Sequence, residues 1–372
     1  GERESVAGEH IRLALDFEIQ QLAENVLNNE PGAVVVLDPR SGDILALASG
    51  PSMDRNALAS RAAWQELMQD PQRPALNRAI SGQYPPGSVF KPLVALAGLV
   101  NERISGETVF PCPGYYAMGG IRFRCWLRRG HGALPLRAAI AQSCNPYFIE
   151  TAVRTGHQRI YHMADSVGFG RLSGIDLPGE VAGLLPDDTW KRRERDDAWR
   201  PGDTANVSIG QGALLVTPLQ MALFTAALAN GGRVYRPRLF LDDAHPPIVQ
   251  QQMAWTPAHL GLVQAGMFDV IHGERGTGRR ALIPGVHMAG KTGTAQFGQD
   301  QTHAWMILFA PYEAPRYAVA MIVEDDISGG VIVAPRLRAL MEAIFTREGL
   351  IVPAEPPVRQ AQRHAPVGEA QI

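Results

Sequence analysis

The sequence predicts an α/β fold of the α+β kind, with a five-stranded antiparallel sheet flanked by helices and a helical region inserted into it. Three observations lead to this prediction. Two strand-length apolar runs lie near the start of the chain, three lie near its end, and helix signals fill the residues between them. A sheet closed by both chain ends accounts for this order, so residues 10–50 and 284–345 should form it around a helical region at 51–283.

The early part of the sheet is predicted from four consecutive segments. Residues 10–15 read as a strand, and Asp16 can cap a helix that ends near Leu27. Apolar residues recur at helical spacing between these two positions. Residues 33–37 and 44–48 are strand-length apolar runs, and the turn residues at 38–43 join them into a hairpin.

The middle and the end of the chain carry their own signals. Residues 138–153 look helical with a break near Asn145, and Thr217-Pro218 and Thr256-Pro257 each begin a helix. Strands are predicted at 286–297, 303–310 and 316–324, and a last helix at 337–345. The tail at 353–372 is rich in Pro, Gln, Arg and Ala and is expected to be disordered.

Composition excludes several classes of protein. A hydrophobic fraction of 45% and a net charge of -2 describe an ordinary globular protein and give no reason to expect nucleic acid as a partner. No apolar run approaches the roughly 18 residues of a membrane helix. The first ten residues are polar and do not resemble a signal peptide.

Ser88 and Lys91 form a Ser-x-x-Lys motif at the start of an apolar helical segment. Side chains three residues apart share one face of a helix, so the hydroxyl and the amine can meet. A lysine with a lowered pKa can take the proton of a serine hydroxyl, and the helix N-terminus favours developing negative charge. The motif alone is also consistent with an ordinary helix start.

Two further motifs follow in the chain. The triplet Ser143-Cys144-Asn145 lies at the predicted helix break, where its hydroxyl and amide can point into one cleft. Lys291-Thr292-Gly293-Thr294 lies on a predicted strand, and its small residues let an extended peptide pair alongside. Taken alone, the Ser-x-Asn triplet is also consistent with an ordinary turn, and the Lys-Thr-Gly triplet with an exposed strand edge. The order Ser-x-x-Lys, Ser-x-Asn, Lys-Thr-Gly is typical of penicillin-binding proteins and serine β-lactamases.

The surrounding residues extend this resemblance over residues 10–345. The stretches 84–88, 206–212, 217–220 and 289–296 are similar to the transpeptidase domain of class B penicillin-binding proteins. Residues 74–79, 124–126 and 130–132 resemble the elongation-specific penicillin-binding protein 2 group. The resemblance implies the penicillin-binding protein and serine β-lactamase-like fold for a domain at 1–352, and a peptidoglycan D,D-transpeptidase that serves cell elongation and shape.

The resemblance also implies roles for the motif residues. Ser88 would attack the penultimate D-alanine of a stem peptide, or a β-lactam, and then pass the acyl group to an amine of a neighbouring stem. Lys91 would be the base, Ser143 would protonate the leaving amine, and Asn145 would hold the donor amide. No cofactor is required for this acyl transfer.

The remaining motif residues would bind the substrate: Lys291, Thr292, Gly293 and Thr294. Lys291 would keep Lys91 less basic, and the backbone amides of Ser88 and Thr294 would form the oxyanion hole. Thr292 and Thr294 would bind the carboxylate. Relatives carry a membrane anchor and a pedestal, which are expected outside this chain. The resemblance implies a membrane glycan polymerase as partner, at the periplasmic face of the bacterial inner membrane.

A metal site is predicted from the cysteines. All three lie within 33 residues, and one histidine lies among them, giving the set Cys112, Cys125, His131 and Cys144. This is a ligand combination of structural zinc, with no position left for water. Some members of the resembled group have metal ligands here, with carboxylates at two of the cysteine positions. A disulfide with one free thiol, buried free cysteines and an unrelated cluster are the alternatives.

Three other functions compete with transpeptidation. A serine β-lactamase shares two of the motifs but must activate water, and residues 183–188 contain no glutamate that serves a Glu-x-x-x-Asn arrangement. A D,D-carboxypeptidase would use water as the acceptor. A penicillin-sensing domain would keep the acylation without needing turnover. Incubation with a fluorescent penicillin separates a stable adduct from rapid hydrolysis.

Overall fold

The computed structural model describes residues 8, 10–54, 56, 59–241, 246–297, 301–325 and 328–351. The strands among them, numbered in chain order, are β1 Arg12–Leu13, β2 Gly32–Leu37, β3 Ile44–Gly50, β4 Val109–Cys112, β5 Tyr115–Met118, β6 Ile121–Arg124, β7 Gly132–Pro135, β8 Arg233–Tyr235, β9 Phe240–Leu241, β10 Val249–Gln252, β11 Ala289–Phe297, β12 Gln301–Ala310 and β13 Tyr317–Val323.

The α-helices in the same part of the chain are α1 Phe17–Leu27, α2 Arg61–Gln69, α3 Arg78–Ser81, α4 Lys91–Val100, α5 Leu136–Ala141, α6 Asn145–Thr155, α7 His157–Val167, α8 Asp188–Arg195, α9 Pro201–Ser208, α10 Pro218–Ala229, α11 Pro257–His272 and α12 Ala334–Arg347. A 3₁₀ helix at Gly87–Phe90 leads directly into α4. No described helix combines the length and the apolar character needed to cross a membrane.

One five-stranded antiparallel sheet is built from both ends of the chain, as the sequence predicted. Its strand order is β11-β12-β13-β2-β3. The junction between the two ends is the pair β13 and β2, in which Ala320 lies opposite Val35. Both strands are buried along their whole length, and they are accordingly apolar without alternation. The sheet leaves β11 with one unpaired edge.

Helices cover the sheet and form the inserted region. Helix α10 packs on β13 and β2, α11 on β11, and α1 on β3, while α12 packs on α1. The predicted caps are present: Asp16 accepts hydrogen bonds from the first turn of α1, and Thr217 and Gln220 form a reciprocal capping box on α10. These caps place the helix starts within a residue of the predicted positions.

Two predictions were wrong in detail. The segment at 10–15 is a strand only at Arg12–Leu13, and it pairs with β9 outside the five-stranded sheet. The middle of the chain is not purely helical, because β4 pairs with β7 and β5 with β6. Four-residue strands between glycines and prolines are too short for their periodicity to be recognised. The tail predicted to be disordered lies outside the described residues.

Candidate active site and cysteine cluster

Ser88 lies in the 3₁₀ turn that precedes α4, and it is half-buried. The turn is fixed from two sides. Gly87, with φ of 57°, donates its backbone N–H to the carbonyl of Gly210 at 2.8 Å. The indole of Trp305 donates to the carbonyl of Pro85 at 3.1 Å. The predicted nucleophile therefore lies on a rigid turn at a helix start.

Lys91 is the first residue of α4 and is completely buried. Its Nζ donates to the backbone carbonyl of Ser143 at 2.8 Å, to Ser143 Oγ at 3.2 Å and to Asn145 Oδ1 at 2.6 Å. Ser143 adopts a left-handed conformation, with φ of 53°, at the break between α5 and α6. The structure thus joins the first two motifs through the amine. Among the described residues, the hydrogen bonds of Lys91 go to the Ser-x-Asn triplet and not to Ser88.

Burial controls the charge of both motif lysines. It lowers the pKa of Lys91 to about 8, although the thiolates of Cys125, Cys144 and Cys112 act in the opposite direction. Burial also lowers the pKa of Lys291, and the cation of Lys91 lowers it further. Burial is therefore the largest cause of the lowered pKa of both lysines, and the expectation that Lys291 keeps Lys91 less basic stays a prediction.

The third motif lies on β11, at the edge of the sheet. Thr292 is buried and its hydroxyl is 2.6 Å from that of Thr277, whereas Thr294 is exposed. A Cβ on Gly293 would lie 3.1 Å from the carbonyl of Pro86, so glycine lets the strand approach the serine turn. An unpaired edge strand beside a nucleophile suits an extended peptide that adds as another strand.

Two adjoining cavities meet at Ser88. The first, of about 520 Å³, is lined by predicted residues from all three motifs: Ser88, Ser143, Asn145, Thr292, Gly293 and Thr294. It is also lined by residues that were not predicted as site residues: Trp126, Thr277, Arg279, Arg280 and Ser328. The second, of about 620 Å³, extends past Thr294 to Gln296. The small-residue run 276–278 before β11 was the available signal for Thr277.

The three cysteines and His131 also come together as predicted. Their candidate ligand atoms all lie within 4.8 Å of one another. His131 Nδ1 is 3.4 Å from the sulfur of Cys112 and 3.5 Å from that of Cys125. Zn–S and Zn–N bonds of about 2.3 and 2.0 Å in a tetrahedron place S and N about 3.5 Å apart, so the donor set fits zinc. The cysteines are unbridged.

The cluster is buried next to the Ser-x-Asn triplet. The hydrogen bond between the two thiols lowers the pKa of Cys125 and raises that of Cys144, so Cys125 ionises first. His131 Nε2 is buried without a hydrogen-bond partner in the described chain, and its ring packs edge-on against Trp126. Cys144 precedes α6 directly, between Ser143 and Asn145.

Comparison with known proteins agrees with this geometry. Residues 32–342 match the family described as penicillin binding protein transpeptidase domain. The peptidoglycan D,D-transpeptidase MrdA of Salmonella typhimurium (strain SL1344) is 34% identical over 91% of this chain, which spans 59% of that relative's length.

Solved structures show the same fold. PBP2 of Pseudomonas aeruginosa, in complex with WCK 5153, superposes with a TM-score of 0.86 at 38% identity, covering 94% of this chain and 79% of that one. A chain from a peptidoglycan synthase complex that coordinates polymerization and crosslinking has a TM-score of 0.82 at 30% identity, covering 93% and 64%. The chain therefore belongs to the penicillin-binding protein transpeptidase family.

Proposed function

We propose that this chain is the D,D-transpeptidase domain of an elongation-type penicillin-binding protein, with peptidoglycan stem peptides as substrates and β-lactams as covalent inhibitors. The observation that carries the proposal is the cleft itself. Half-buried Ser88 lies between the Lys91–Ser143–Asn145 hydrogen-bond network and the open edge of β11. We propose residues 1–352 as the extent of the domain.

Acylation begins when the uncharged amine of Lys91 accepts the hydroxyl proton of Ser88. The serine oxygen attacks the carbonyl of the penultimate D-alanine, and the oxyanion is held by the backbone N–H groups of Ser88 and Thr294. Collapse breaks the amide bond, and the departing amine of the last D-alanine takes the proton from Lys91 through the hydroxyl of Ser143. The product is an ester between Ser88 and the donor stem.

Deacylation repeats these steps with a new nucleophile. An amine of a neighbouring stem attacks the ester, loses a proton to Lys91, and forms the cross-link, while Ser88 recovers its hydroxyl proton. Asn145 already uses Oδ1 for Lys91 and one N–H for the carbonyl of Arg124, so one amide hydrogen remains for the donor peptide. Thr292, Thr294 and Lys291 bind the terminal carboxylate beside Gly293.

The competing functions differ in how the ester is resolved. Neither cavity at Ser88 is lined by a glutamate or aspartate among the described residues, so a carboxylate that activates water for fast hydrolysis has no place there. This favours a long-lived acyl-enzyme over a β-lactamase. A carboxypeptidase would release D-alanine equally well with or without an amine acceptor, whereas a transpeptidase forms a peptide-linked product.

A fluorescent penicillin tests the nucleophile. We expect labelling of the parent chain at Ser88 to persist for many minutes, and Ser88→Ala to lose it completely, because no other group can form the ester. Mass spectrometry of the labelled peptide identifies the modified residue, and circular dichroism checks that the variant is folded. Labelling of another serine, or rapid turnover of the drug, would contradict the proposal.

We further propose that Cys112, Cys125, His131 and Cys144 hold a structural zinc ion. Three thiolates and one imidazole suit this ion, which supplies no chemistry to the acyl transfer when bound. Its ligands come from β4, the loop after β6, and the residue before α6, so it fixes the loop that carries Trp126 against Ser143.

Metal analysis and one substitution test the zinc site. Protein purified without chelator should contain about one zinc per chain. His131→Ala should lower the zinc content and lower the melting temperature by several degrees, since metal binding is coupled to folding. His162→Ala, an exposed histidine outside the cluster, is the matched control. A metal-free chain with full stability and normal acylation would refute the site.

We also propose that the domain works at the periplasmic face of the bacterial inner membrane with a membrane glycan polymerase. Its similarity to a chain of a polymerization and crosslinking complex supports this. Purification of the whole protein from detergent extracts of membranes tests this proposal, and we expect the polymerase to co-purify. A preparation without the polymerase would argue against it.

A further inference from the structure

Two arginines beside the active site have no counter-charge among the described residues. Arg124 and Arg128 are exposed and line the second cavity, together with Ser88. Neither makes an ion pair or a side-chain hydrogen bond in the described part of the chain. The neighbouring Arg122 differs, because its guanidinium stacks on the ring of Tyr115 at 4.8 Å. The charges of Arg124 and Arg128 are therefore available to a ligand.

The rest of the cavity suits an anion. No aspartate or glutamate of the described chain lines it, and the amide side chains of Asn206, Gln211 and Gln296 do. The whole chain has a net charge of -2, so this positive wall, in which no described residue carries a carboxylate, is a local feature and not part of a generally basic surface. Guanidinium groups bind carboxylates through paired charge-assisted hydrogen bonds.

The position of the cavity identifies which part of a substrate enters it. The first cavity contains Thr292 and Thr277, the second contains Gln296, and both contain Ser88 and Thr294. A peptide paired with the edge of β11 advances about 3.3 Å per residue. If its terminal carboxylate lies at Thr292 and its reacting carbonyl at Ser88, the residues one or two positions upstream lie by Gln296 and the arginines.

The backbone that carries these arginines is tied to the catalytic triplet. The amide of Asn145 donates to the carbonyl of Arg124 at 2.9 Å. The next residue, Cys125, donates its backbone N–H to Gly114 and contributes its thiol to the cysteine cluster. The backbone at Arg124 is thus held in place relative to Ser88, and no described contact uses the side chains of Arg124 and Arg128.

We propose that Arg124 and Arg128 form an anion subsite that binds a carboxylate of the donor stem peptide, upstream of the D-alanine bond that Ser88 attacks. The inference rests on the proposed function and adds the substrate feature that the site recognises. Two carboxylates of a stem have the required chemistry: the one on the side chain of its third residue and the one of its glutamyl residue.

Competition against penicillin labelling tests the subsite without requiring turnover. Synthetic donor peptides, with both carboxylates free or with one of them amidated, would be titrated against the rate at which a fluorescent penicillin labels Ser88. We expect the fully charged peptide to bind about tenfold more tightly than one of the amidated peptides, and the peptide that loses affinity identifies the carboxylate. This preference should shrink at high salt.

Substitutions assign the preference to the arginines. The double variant Arg124→Gln/Arg128→Gln should bind the charged and amidated peptides equally. Arg129 is an exposed arginine of the same loop that lines neither cavity, so Arg129→Gln is the matched control and should keep the tenfold preference. If the double variant is destabilised, Arg128→Gln alone can replace it, because this side chain has no described contact to lose and the variant should stay folded. It should reduce the preference for the charged peptide at least threefold.

The outcomes separate the subsite from the function it serves. Equal binding of charged and amidated peptides by the parent chain, or an unchanged preference in the folded double variant, overturns the subsite. Penicillin labelling without release of D-alanine from any peptide overturns the transpeptidase assignment instead, and the competition experiment still reports on the arginines.

Discussion

A lysine without solvent-exposed surface lies at the centre of the proposed chemistry. Lys91 has three oxygen acceptors around Nζ and the ring of Phe148 at 5.5 Å. Burial lowers its pKa to about 8, so roughly a tenth of it is uncharged at pH 7. The fold therefore brings the pKa of Lys91 close to neutral pH, and the three acceptors hold its charged form in place between reactions.

The two motif lysines should differ in their effects on acylation. Lys91→Ala removes the base and should slow penicillin acylation by roughly 10³-fold, within the range for general-base catalysis. Lys291→Ala should slow it about tenfold, because it should weaken recognition of the carboxylate without removing the proposed base. Stopped-flow labelling measures both rates. If Lys91→Ala stayed within tenfold of the parent, another group would have to be the base.

The pH profile of acylation follows from the same pKa. Only the uncharged amine of Lys91 accepts the serine proton, so the acylation rate should rise about tenfold per pH unit below pH 8 and level off above it. Lys291→Ala should largely keep this profile, since burial is the largest cause of the lowered pKa of Lys91. A flat profile between pH 6 and 8 would exclude Lys91 as the base.

At this scale the motifs predicted the chemistry but not its contacts. The spacing of Ser88 and Lys91 placed both at a helix start, which the structure bears out with a 3₁₀ turn. The hydrogen bonds of Lys91 to Ser143 and Asn145 were beyond prediction, because they depend on how α4 packs on α6. That Arg124 and Arg128 have no counter-charge among the described residues likewise becomes visible only in the structure.

The elements around Ser88 are held by backbone contacts that leave no room for side chains. The loop after α9 brings Gly210 against Gly87, and the two residues share a 2.8 Å hydrogen bond. A Cβ on Gly210 would lie 2.0 Å from the carbonyl oxygen of Gly87. This contact sets the position of the serine turn relative to the inserted helical region.

Two glycines of one loop allow this contact to be tested. Gly210→Ala and Gly212→Ala share a left-handed backbone, with φ of 72° and 78°, and hence a similar conformational cost of about 1–2 kcal/mol. A Cβ on Gly212 meets only an ordinary contact at 3.4 Å. We therefore expect Gly210→Ala to be clearly the less stable variant in denaturant and the slower in acylation. Equal losses in both would show that the contact with Gly87 does not matter.

Long elements were predictable and short ones were not. Helices α1, α10 and α11 have cap residues in their own sequences, and α1 also has an apolar stripe, so their bounds followed from local chemistry. Strands β4 to β7 have four residues each and pair as β4 with β7 and β5 with β6, too short for a pattern in their own sequences to reveal them. The cysteine spacing predicted the cluster, but not that one of its members, Cys112, would lie on a strand.

On the scale of the whole molecule, the inserted region and the C-terminal strands are joined by a largely buried ion pair. Arg78, ahead of the serine turn, donates to Glu324 at the end of β13 at 2.6 Å, across 246 residues of sequence. The hydroxyl of Tyr84 donates to the same carboxylate oxygen at 2.6 Å. The order of strands predicted that both ends share a sheet, but a contact between residues this far apart has no signal in one sequence.

Removing the charge of Glu324 should loosen this junction. The side chain of Arg78 is 3% exposed and that of Glu324 19%, so Glu324→Gln leaves a buried guanidinium without its counter-charge. We expect a loss of about 2–3 kcal/mol in the free energy of unfolding at pH 7, the range for a hydrogen bond to a charged group. Glu342→Gln, in a pair with both side chains nearly half exposed, should cost less than about 1 kcal/mol.

The pH dependence of unfolding distinguishes this ion pair from a simple packing effect. Burial raises the pKa of Glu324, but the hydrogen bonds from Arg78 and Tyr84 outweigh it, so the net pKa lies below the ordinary value of 4.5. The carboxylate therefore contributes its full stability above pH 4.5, and the contribution is lost as the pH falls through the lowered value. The difference between the parent and Glu324→Gln should accordingly be constant from pH 8 to 5 and shrink below pH 4.5. Urea unfolding at a series of pH values measures it, and a difference that persisted unchanged to pH 3 would mean that the lost stability comes from packing and not from charge.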